Sequence, residues 1–224
     1  MKQKLKLIIT GSTGMVGEGV LLECLENPLV EKILVVNRHE CGYSHPKLKE
    51  IIHSDFFDLS AIENELSGYN ACFFCLGVSS IGMNEEDYTK MTYTLTLNFA
   101  NTLIKHNSDL SFSYISGKAT DSKEKGKSMW ARVKGKTEND LQKMKFKDSY
   151  AFRPGMLKPT KGQKYVLKYY KYVGWLFPII NVLIPSWACS IKQLAKAMIV
   201  ATYHRSILDT FEVKDIKRLA TVKD

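Results

Sequence analysis

The stretch TGSTGMVG, residues 10–17, sets three glycines at intervals of three residues. It joins a strand-like run, KLKLIIT, to the run GMVGEGVLLECLEN, which has the periodicity of a helix. At such a turn Gly11 allows the tight bend, Gly14 lets the backbone approach a pyrophosphate, and Gly17 lets the helix pack on the strand. Phosphates then lie at the positive end of the helix. The turn therefore predicts a dinucleotide site more than a plain structural bend, with these candidate binding residues: Gly11, Ser12, Thr13, Gly14, Met15, Val16 and Gly17.

Short apolar runs alternate with helical runs along the rest of the chain. Further strands are predicted at residues 32–37, 48–53, 71–77, 110–116 and 149–154. Ser60 and Glu63 have the spacing of a capping box for a helix that ends before Gly68, and Asn84 is placed to cap a long helix. A further helix is predicted over 128–144. This alternation predicts an α/β fold, a doubly wound parallel sheet with helices on both faces.

The ends of the predicted strands indicate which cofactor would bind. The second strand ends in Asn37 and Arg38, with no acid to hold the ribose 2′-hydroxyl of NAD. An arginine can grip the 2′-phosphate of NADP, so NADP is favoured over NAD, unless Arg38 is a solvated loop residue. Ligands of such sheets bind beyond the carboxyl ends of the strands. The ends of the third and fourth strands therefore add these candidates: Asp55, Phe56, Leu76, Gly77 and Val78.

Composition narrows the class of protein. The chain has 224 residues and a formal charge of +9, but its lysines are scattered and form no recognised nucleic-acid motif, so no nucleic acid is expected as a partner. Five cysteines without framework spacing suit a reducing compartment, and no signal peptide is visible, so a cytoplasmic protein is expected. Cys72 and Cys75 fall on opposite faces of a predicted strand and are expected in the core.

The region after Pro159 has a different character. Residues 172–191 contain no charged side chain, and a run of this length could span a membrane. The run is interrupted, however, by Gly174, Pro178, Asn181 and Pro185. Ser190 and Gln193 then form another capping box pattern. We therefore expect residues 159–205 to form a small helical region, within a single domain over 1–224, that covers a substrate pocket. Contact with a membrane surface remains the alternative.

Ser116, Trp130 and Lys134 have the spacing of a hydride-transfer site. Trp130 and Lys134 share a helical face, and Ser116 ends the strand before that helix. A tyrosine would be expected in place of Trp130, because its phenol moves a proton. An indole N–H is a donor only and cannot take part in acid–base chemistry.

Taken in order, TGSTGMVG, VVNR, SDFFD, CLGVSS, YISGKATDS, the serine–aromatic–lysine set and FRPGMLKPT resemble the atypical short-chain dehydrogenase/reductases, in particular the Tat-interacting-protein-like and NmrA-like branch. The resemblance covers essentially the whole chain and is loosest after Pro159. It implies a Rossmann fold and a bound NADP(H). It further implies that Ser116 polarises a substrate carbonyl and Lys134 binds the nicotinamide ribose, and that the turn after Arg153 packs against the nicotinamide through Pro154, Gly155 and Met156.

The departure at Trp130 leaves two functions open. One is an NADP(H)-dependent oxidoreductase acting on a small carbonyl compound, with the proton supplied by Lys134, by a water, or by one of the tyrosines Tyr165, Tyr169, Tyr170 and Tyr172. The other is a non-catalytic protein that binds NADP(H) and acts through a partner or a membrane surface. An exposed Ser116 would favour the first and a sealed site the second. The sequence sets neither the substrate nor the oligomeric state.

Overall fold

A seven-stranded parallel sheet forms the centre of the computed structural model, which describes residues 3–166, 170 and 174–222. The spatial order of the strands is β3-β2-β1-β4-β5-β6-β9, and every neighbouring pair is parallel. The prediction of a parallel sheet is confirmed. The strands are β1 (Leu5–Thr10), β2 (Val30–Asn37), β3 (Leu48–Ile52), β4 (Ala71–Phe74), β5 (Ser111–Ile115), β6 (Asp148–Arg153) and β9 (Thr210–Glu212).

Helices cover both faces of this sheet, as the alternation predicts. Helices α1, α6 and α7 pack with Leu7 and Ile9 in one core, while α3 and α4 pack with Ile8 and Leu34 in the other. The cysteine in β4 and the one just after it lie on opposite faces of the sheet. Cys72 is in the core that contains Ile8, and Cys75 packs against the core that contains Leu7. The helices are α1 (Met15–Glu26), α2 (Glu85–Thr89), α3 (Leu95–His106), α4 (Met129–Lys143), α5 (Leu176–Leu183), α6 (Ile191–His204) and α7 (Val213–Leu219), with a 3-10 turn at Glu63–Leu66 and a π turn at Lys90–Thr94.

The strand order reverses between β1 and β4, and this places the candidate site. Thr10 at the end of β1 pairs with Phe74 at the end of β4, and Phe74 pairs with Tyr114 near the end of β5. Three strand ends therefore lie side by side at one edge of the sheet, with neighbouring strands about 4.8 Å apart. Ligands of open α/β sheets bind at such a reversal. The glycine turn and Ser116 are both brought to it.

The helix caps are predicted with mixed success. Asn84 caps α2, because its side chain accepts a hydrogen bond from the Asp87 N–H at 2.8 Å, and Ser190 forms the expected capping box with Gln193. The prediction of a capping box at Ser60 is wrong. The Ser60 N–H donates to the Asp58 carboxylate at 3.0 Å, which holds it in a local turn, and only the 3-10 turn follows. Local bonds of this kind compete with helix formation.

The C-terminal region contains a small parallel ribbon as well as helices. Strand β7 (Met156–Lys158) pairs with β8 (Ala188–Ser190), and α5 lies against this ribbon. The region that the sequence predicts to be helical contains α5 and α6, and the sequence analysis did not predict the ribbon or the short β9. Three-residue strands carry too little periodicity to be recognised.

Candidate functional site

The glycine turn has the geometry that a pyrophosphate site needs. Gly11 has φ +71, and a Cβ there would lie 2.8 Å from the Cys75 carbonyl group, so only glycine fits. A Cβ at Gly17 would collide with the Gly11 carbonyl oxygen. Gly14 is exposed, and it is the N-cap of α1 without any side-chain capping bond. The N-terminus of α1 is therefore uncovered, and its N–H groups and dipole suit an anion.

Ser12 and Asn37 hold this turn in place from inside the protein. Asn37 is buried; its Oδ1 accepts from the Ser12 N–H at 3.2 Å, and its Nδ2 donates to Ser12 Oγ at 2.7 Å. Nδ2 also donates to Glu50 Oε1 at 2.9 Å, which accepts from the Cys41 N–H as well. The Asn37 side chain therefore links the glycine turn, β2 and β3. No pattern in the sequence indicates that Glu50 belongs to this network.

The remaining cofactor candidates divide into exposed and buried groups. Arg38 is exposed and makes no hydrogen bond or ion pair with any residue that the structure describes. Asp55 is exposed too, and its carboxylate accepts from the Phe57 N–H at 2.8 Å. Phe56 is buried and stacks on Phe99, with the two ring centroids 5.8 Å apart, so its ring packs in the core.

The residues after β4 stand beside the glycine turn. Leu76 packs against the core that contains Phe74 and also touches the Gly11 position. Gly77 is exposed, with open space where a side chain would be, and Val78 is half-buried. This segment therefore lies directly beside the glycine turn at the strand reversal.

Ser116, Trp130 and Lys134 come together as their spacing predicts. Lys134 Nζ donates to the Ser116 carbonyl oxygen at 3.1 Å and to the Ile115 carbonyl oxygen at 3.3 Å. Trp130 lies over the next residue, since a Cβ at Gly117 would be 3.6 Å from Trp130 Cζ3. The α4 helix thus presents the aromatic ring and the ammonium group to the end of β5.

The Ser116 hydroxyl is engaged within the protein. Thr120 Oγ1 donates its single proton to the Gly117 carbonyl oxygen at 2.7 Å. Thr120 Oγ1 also lies 2.8 Å from Ser116 Oγ, so in that contact Ser116 must be the donor. Ser116 is itself buried. The Ser116 hydroxyl is therefore hydrogen-bonded inside the protein.

Burial lowers the pKa of Lys134 to about 8. The ammonium loses hydration next to the Tyr114 ring, whose centroid is 5.6 Å away, and Glu138 on the same helix opposes the shift only in part. Glu138 is itself buried and forms an ion pair with Arg153. An amine with a pKa near neutrality can both donate and accept a proton under physiological conditions.

Two of the tyrosines considered as replacement donors are engaged elsewhere in the structure. Tyr165 Oη donates to the Glu40 carbonyl oxygen at 3.3 Å, on the loop after β2. Tyr170 packs against the core on the α1 side. Tyr169 and Tyr172 lie outside the described residues. Lys134 is therefore the ionisable side chain that the structure brings into contact with Ser116.

A buried carboxylate ties the C-terminal region to the glycine turn, and the sequence analysis missed it. Glu18, in the first turn of α1, accepts from Tyr43 Oη at 2.5 Å and from the Lys164 N–H at 2.6 Å. Its other oxygen accepts from the Tyr165 N–H at 2.8 Å. Burial, followed by the bond to Glu18, raises the pKa of Tyr43. These hydrogen bonds, which we call the Glu18 clasp, hold residues 163–165 beside the first turn of the helix that would bind the phosphates.

The turn after β6 is hydrogen-bonded to the loop that follows Ser116 and to the segment before β8. The Lys118 N–H donates to the Pro154 carbonyl oxygen at 2.9 Å, and the Met156 N–H donates to the Trp187 carbonyl oxygen at 2.7 Å. Gly155 lies so close to the Trp187 carbonyl that no side chain fits there. The turn therefore joins the loop after Ser116 to the segment that leads into β8.

Two curated proteins are similar to this chain in sequence. Protein HTATIP2 of Rattus norvegicus is 24% identical over 157 residues, which make up 69% of this chain and 64% of that protein. Protein FMP52-2, mitochondrial, of Scheffersomyces stipitis is 31% identical over 152 residues, 66% of this chain and 65% of that protein. The chain thus spans less than two thirds of the length of these relatives. No family model matches it.

Solved structures show the same fold at much lower identity. A mutant of uronate dehydrogenase from Agrobacterium tumefaciens, complexed with NAD, superposes with a TM-score of 0.64 at 15% identity. The superposition covers 92% of this chain and 74% of that one.

Among the residues that the structure describes, no helix is both long and apolar enough to cross a membrane.

Proposed function

Because the chain belongs to the atypical short-chain dehydrogenase/reductases, a family of NAD(P)-binding Rossmann proteins, we propose that it is an NADP(H)-dependent oxidoreductase acting on a small carbonyl compound. The observation that carries the proposal is the uncovered N-terminus of α1 at Gly14, at the same sheet edge as Ser116 and Lys134. The first feature suits a pyrophosphate, and the second would bring an ionisable group to a nicotinamide bound at the same end of the sheet.

NADP(H) is proposed over NAD(H) on the basis of Arg38. Its guanidinium is exposed and without a partner among the described residues, so it is free to bind a 2′-phosphate. The neighbouring Asn37 is fully engaged inside the protein and offers no carboxylate to a ribose 2′-hydroxyl.

Lys134 is proposed as the source of the proton. When bound, the nicotinamide supplies a hydride to the carbonyl carbon, and the carbonyl oxygen then needs a proton. Trp130 can orient the acceptor through its ring or its N–H but has no proton to exchange. The ammonium of Lys134, with its pKa of about 8, is mostly protonated at neutral pH and can supply one directly or through a water.

A second function is favoured by one observation. The Ser116 proton is directed to Thr120, and Ser116 is buried. With no tyrosine and no free serine proton, the two donors of the family's active site are both missing. The chain would then bind NADP(H) without turnover and act through a partner.

Thr120 offers a direct test of the two functions. Thr120→Val keeps the side-chain shape but removes the acceptor of the Ser116 proton, whereas Thr120→Ser keeps the hydroxyl and is the matched control. Binding of NADPH is measured by calorimetry, and NADPH oxidation is measured with aromatic aldehydes and quinones. The oxidoreductase proposal expects turnover by the unmodified chain and a further rise in Thr120→Val alone. Tight NADPH binding without turnover in all three proteins would instead support the binding function, and absence of NADPH binding would overturn both.

A further inference from the structure

Helix α5 is apolar except at Asn181, yet one side of it remains uncovered. Its sequence, LFPIINVL, contains no charged residue, and the structure, which describes all eight positions, buries none of them. Leu176, Phe177 and Ile180 are half-buried on the side that faces the β7–β8 ribbon. A helix that is apolar all round normally has both sides covered.

The uncovered side forms one continuous apolar face. Trp175, Ile179, Val182 and Leu183 have helical spacing, so they lie on the same side of α5. Val182 and Leu183 are 75% and 73% exposed, and Trp175 is 66% exposed. We call this surface the apolar face; it comprises Trp175, Ile179, Val182, Leu183, Ile184 and Trp187.

Lysines stand at the edges of the apolar face. Lys158 Nζ lies 5.7 Å from the centre of the Phe177 ring, and Lys118 Nζ lies 5.2 Å from the centre of the Trp187 ring. Lys217 donates to Asn181 Oδ1 at 2.8 Å and to the Pro185 carbonyl oxygen at 2.7 Å.

The acids of α7 and β9 next to this surface are already paired. Glu212 interacts with Arg153 and Lys118, and Asp215 interacts with Arg218. The surface around the apolar face therefore keeps an excess of positive charge.

The segment of the chain that contains the apolar face is also rich in basic residues. Residues 154–208 contain eight lysines and arginines and no aspartate or glutamate, so this segment carries nearly all of the net charge of +9. The partner that matches an apolar face with tryptophans and a basic border is an anionic lipid surface. Tryptophan favours the boundary between apolar and aqueous phases, and basic residues are attracted to anionic headgroups.

We propose that the apolar face docks the protein on the surface of an anionic lipid bilayer, with α5 lying in the plane of the interface. Eight residues of helix span about 12 Å, far short of the roughly 30 Å hydrocarbon core, so α5 rests on the bilayer and does not cross it. A symmetric contact between two copies of this face would bring their lysine borders together, and like charges disfavour that arrangement.

Vesicle sedimentation of the full chain tests the proposal. The unmodified protein should bind phosphatidylcholine–phosphatidylserine vesicles, bind phosphatidylcholine vesicles much more weakly, and be released as salt rises from about 0.1 M to about 1 M. Leu183→Glu should weaken binding by at least about tenfold, the ratio expected when a buried leucine side chain is lost. Ile207→Glu is the matched control, because it makes the same charge change at a fully exposed residue in the loop before β9, outside the apolar face.

The expected pattern is a loss in Leu183→Glu with little change in Ile207→Glu, while both variants keep the circular dichroism of the unmodified protein. Equal binding of the two variants would overturn the proposal, as would no binding of the unmodified protein to anionic vesicles. Light scattering without lipid provides a further check. A dimer that Leu183→Glu dissociates would show that the face is covered by a second copy.

Discussion

Replacing Trp130 by tyrosine should raise carbonyl reduction, because it returns a proton-transferring phenol to the face of α4 that carries Lys134. The indole ring already reaches Gly117, one residue beyond Ser116, so a ring at this position points towards the site. Lys134 is one helical turn away and is cationic at neutral pH, since its pKa is about 8. A nearby cation lowers the pKa of a phenol towards neutrality.

The expected size of the effect follows from the donors present. General acid catalysis typically contributes about 10²–10⁴-fold, or roughly 3–5 kcal/mol. In the proposed mechanism Lys134 supplies part of that help, and the Ser116 hydroxyl is hydrogen-bonded to Thr120. We therefore expect Trp130→Tyr to gain at least about tenfold, the lower part of the range.

The assay is NADPH oxidation with a panel of aromatic aldehydes, with NADPH affinity measured in parallel. Trp130→Phe is the matched control, because it makes the same reduction in ring size without adding a hydroxyl. Quinones serve as a comparison, since they accept a hydride without a strong acid and should respond little. The reasoning is refuted if Trp130→Tyr binds NADPH normally and leaves every aldehyde rate equal to that of Trp130→Phe.

Three further predictions concern charge. Arg38→Ala should remove most of the preference for NADPH over NADH; calorimetry that finds equal affinities in the unmodified protein would contradict the role given to Arg38. The unfolding free energy of the unmodified protein, compared with that of Lys134→Met, should rise by up to about 3 kcal/mol between pH 8 and pH 10.5. In this range Lys134 is neutral in the folded protein but still binds a proton in the unfolded chain. Urea titrations of both proteins at each pH would refute this if the difference between them stayed constant. Glu138→Gln should cost about 3–5 kcal/mol, because it leaves the half-buried Arg153 without its buried carboxylate partner, whereas Glu212→Gln, at the more exposed partner, should cost less than about 1 kcal/mol; equal losses in urea unfolding would count against the buried pair.

Features that depend on local sequence are the ones that could be predicted. The glycine turn, the parallel strands and the cap at Asn84 all follow from residues within a few positions of one another. The capping box at Ser60 failed for an equally local reason, since Asp58 competes for the Ser60 N–H. The grouping of Ser116, Trp130 and Lys134 followed from strand and helix periodicity combined with the family resemblance.

The protonation geometry of the site could not be predicted from the sequence. The direction of the Ser116 proton depends on how Thr120 is bonded to Gly117, which only the folded loop determines. The clasp at Glu18 joins residues far apart in the chain, such as Lys164, through backbone N–H groups that carry no side-chain signal. Phe56 was a candidate cofactor residue because of its position after β3, and the structure shows that its ring packs in the core.

The central claim, that the dinucleotide phosphates bind at the N-terminus of α1, is tested most directly by NADPH calorimetry on Gly14→Asp. Gly14 is the exposed N-cap of α1, with space around its Cα, so aspartate there should cap the helix and hold or raise the melting temperature. The same carboxylate would occupy the phosphate position and repel it. We predict that the unmodified protein binds NADPH and that Gly14→Asp weakens binding by about a hundredfold or more without loss of stability. Undiminished NADPH binding by a stably folded Gly14→Asp protein would contradict the claim.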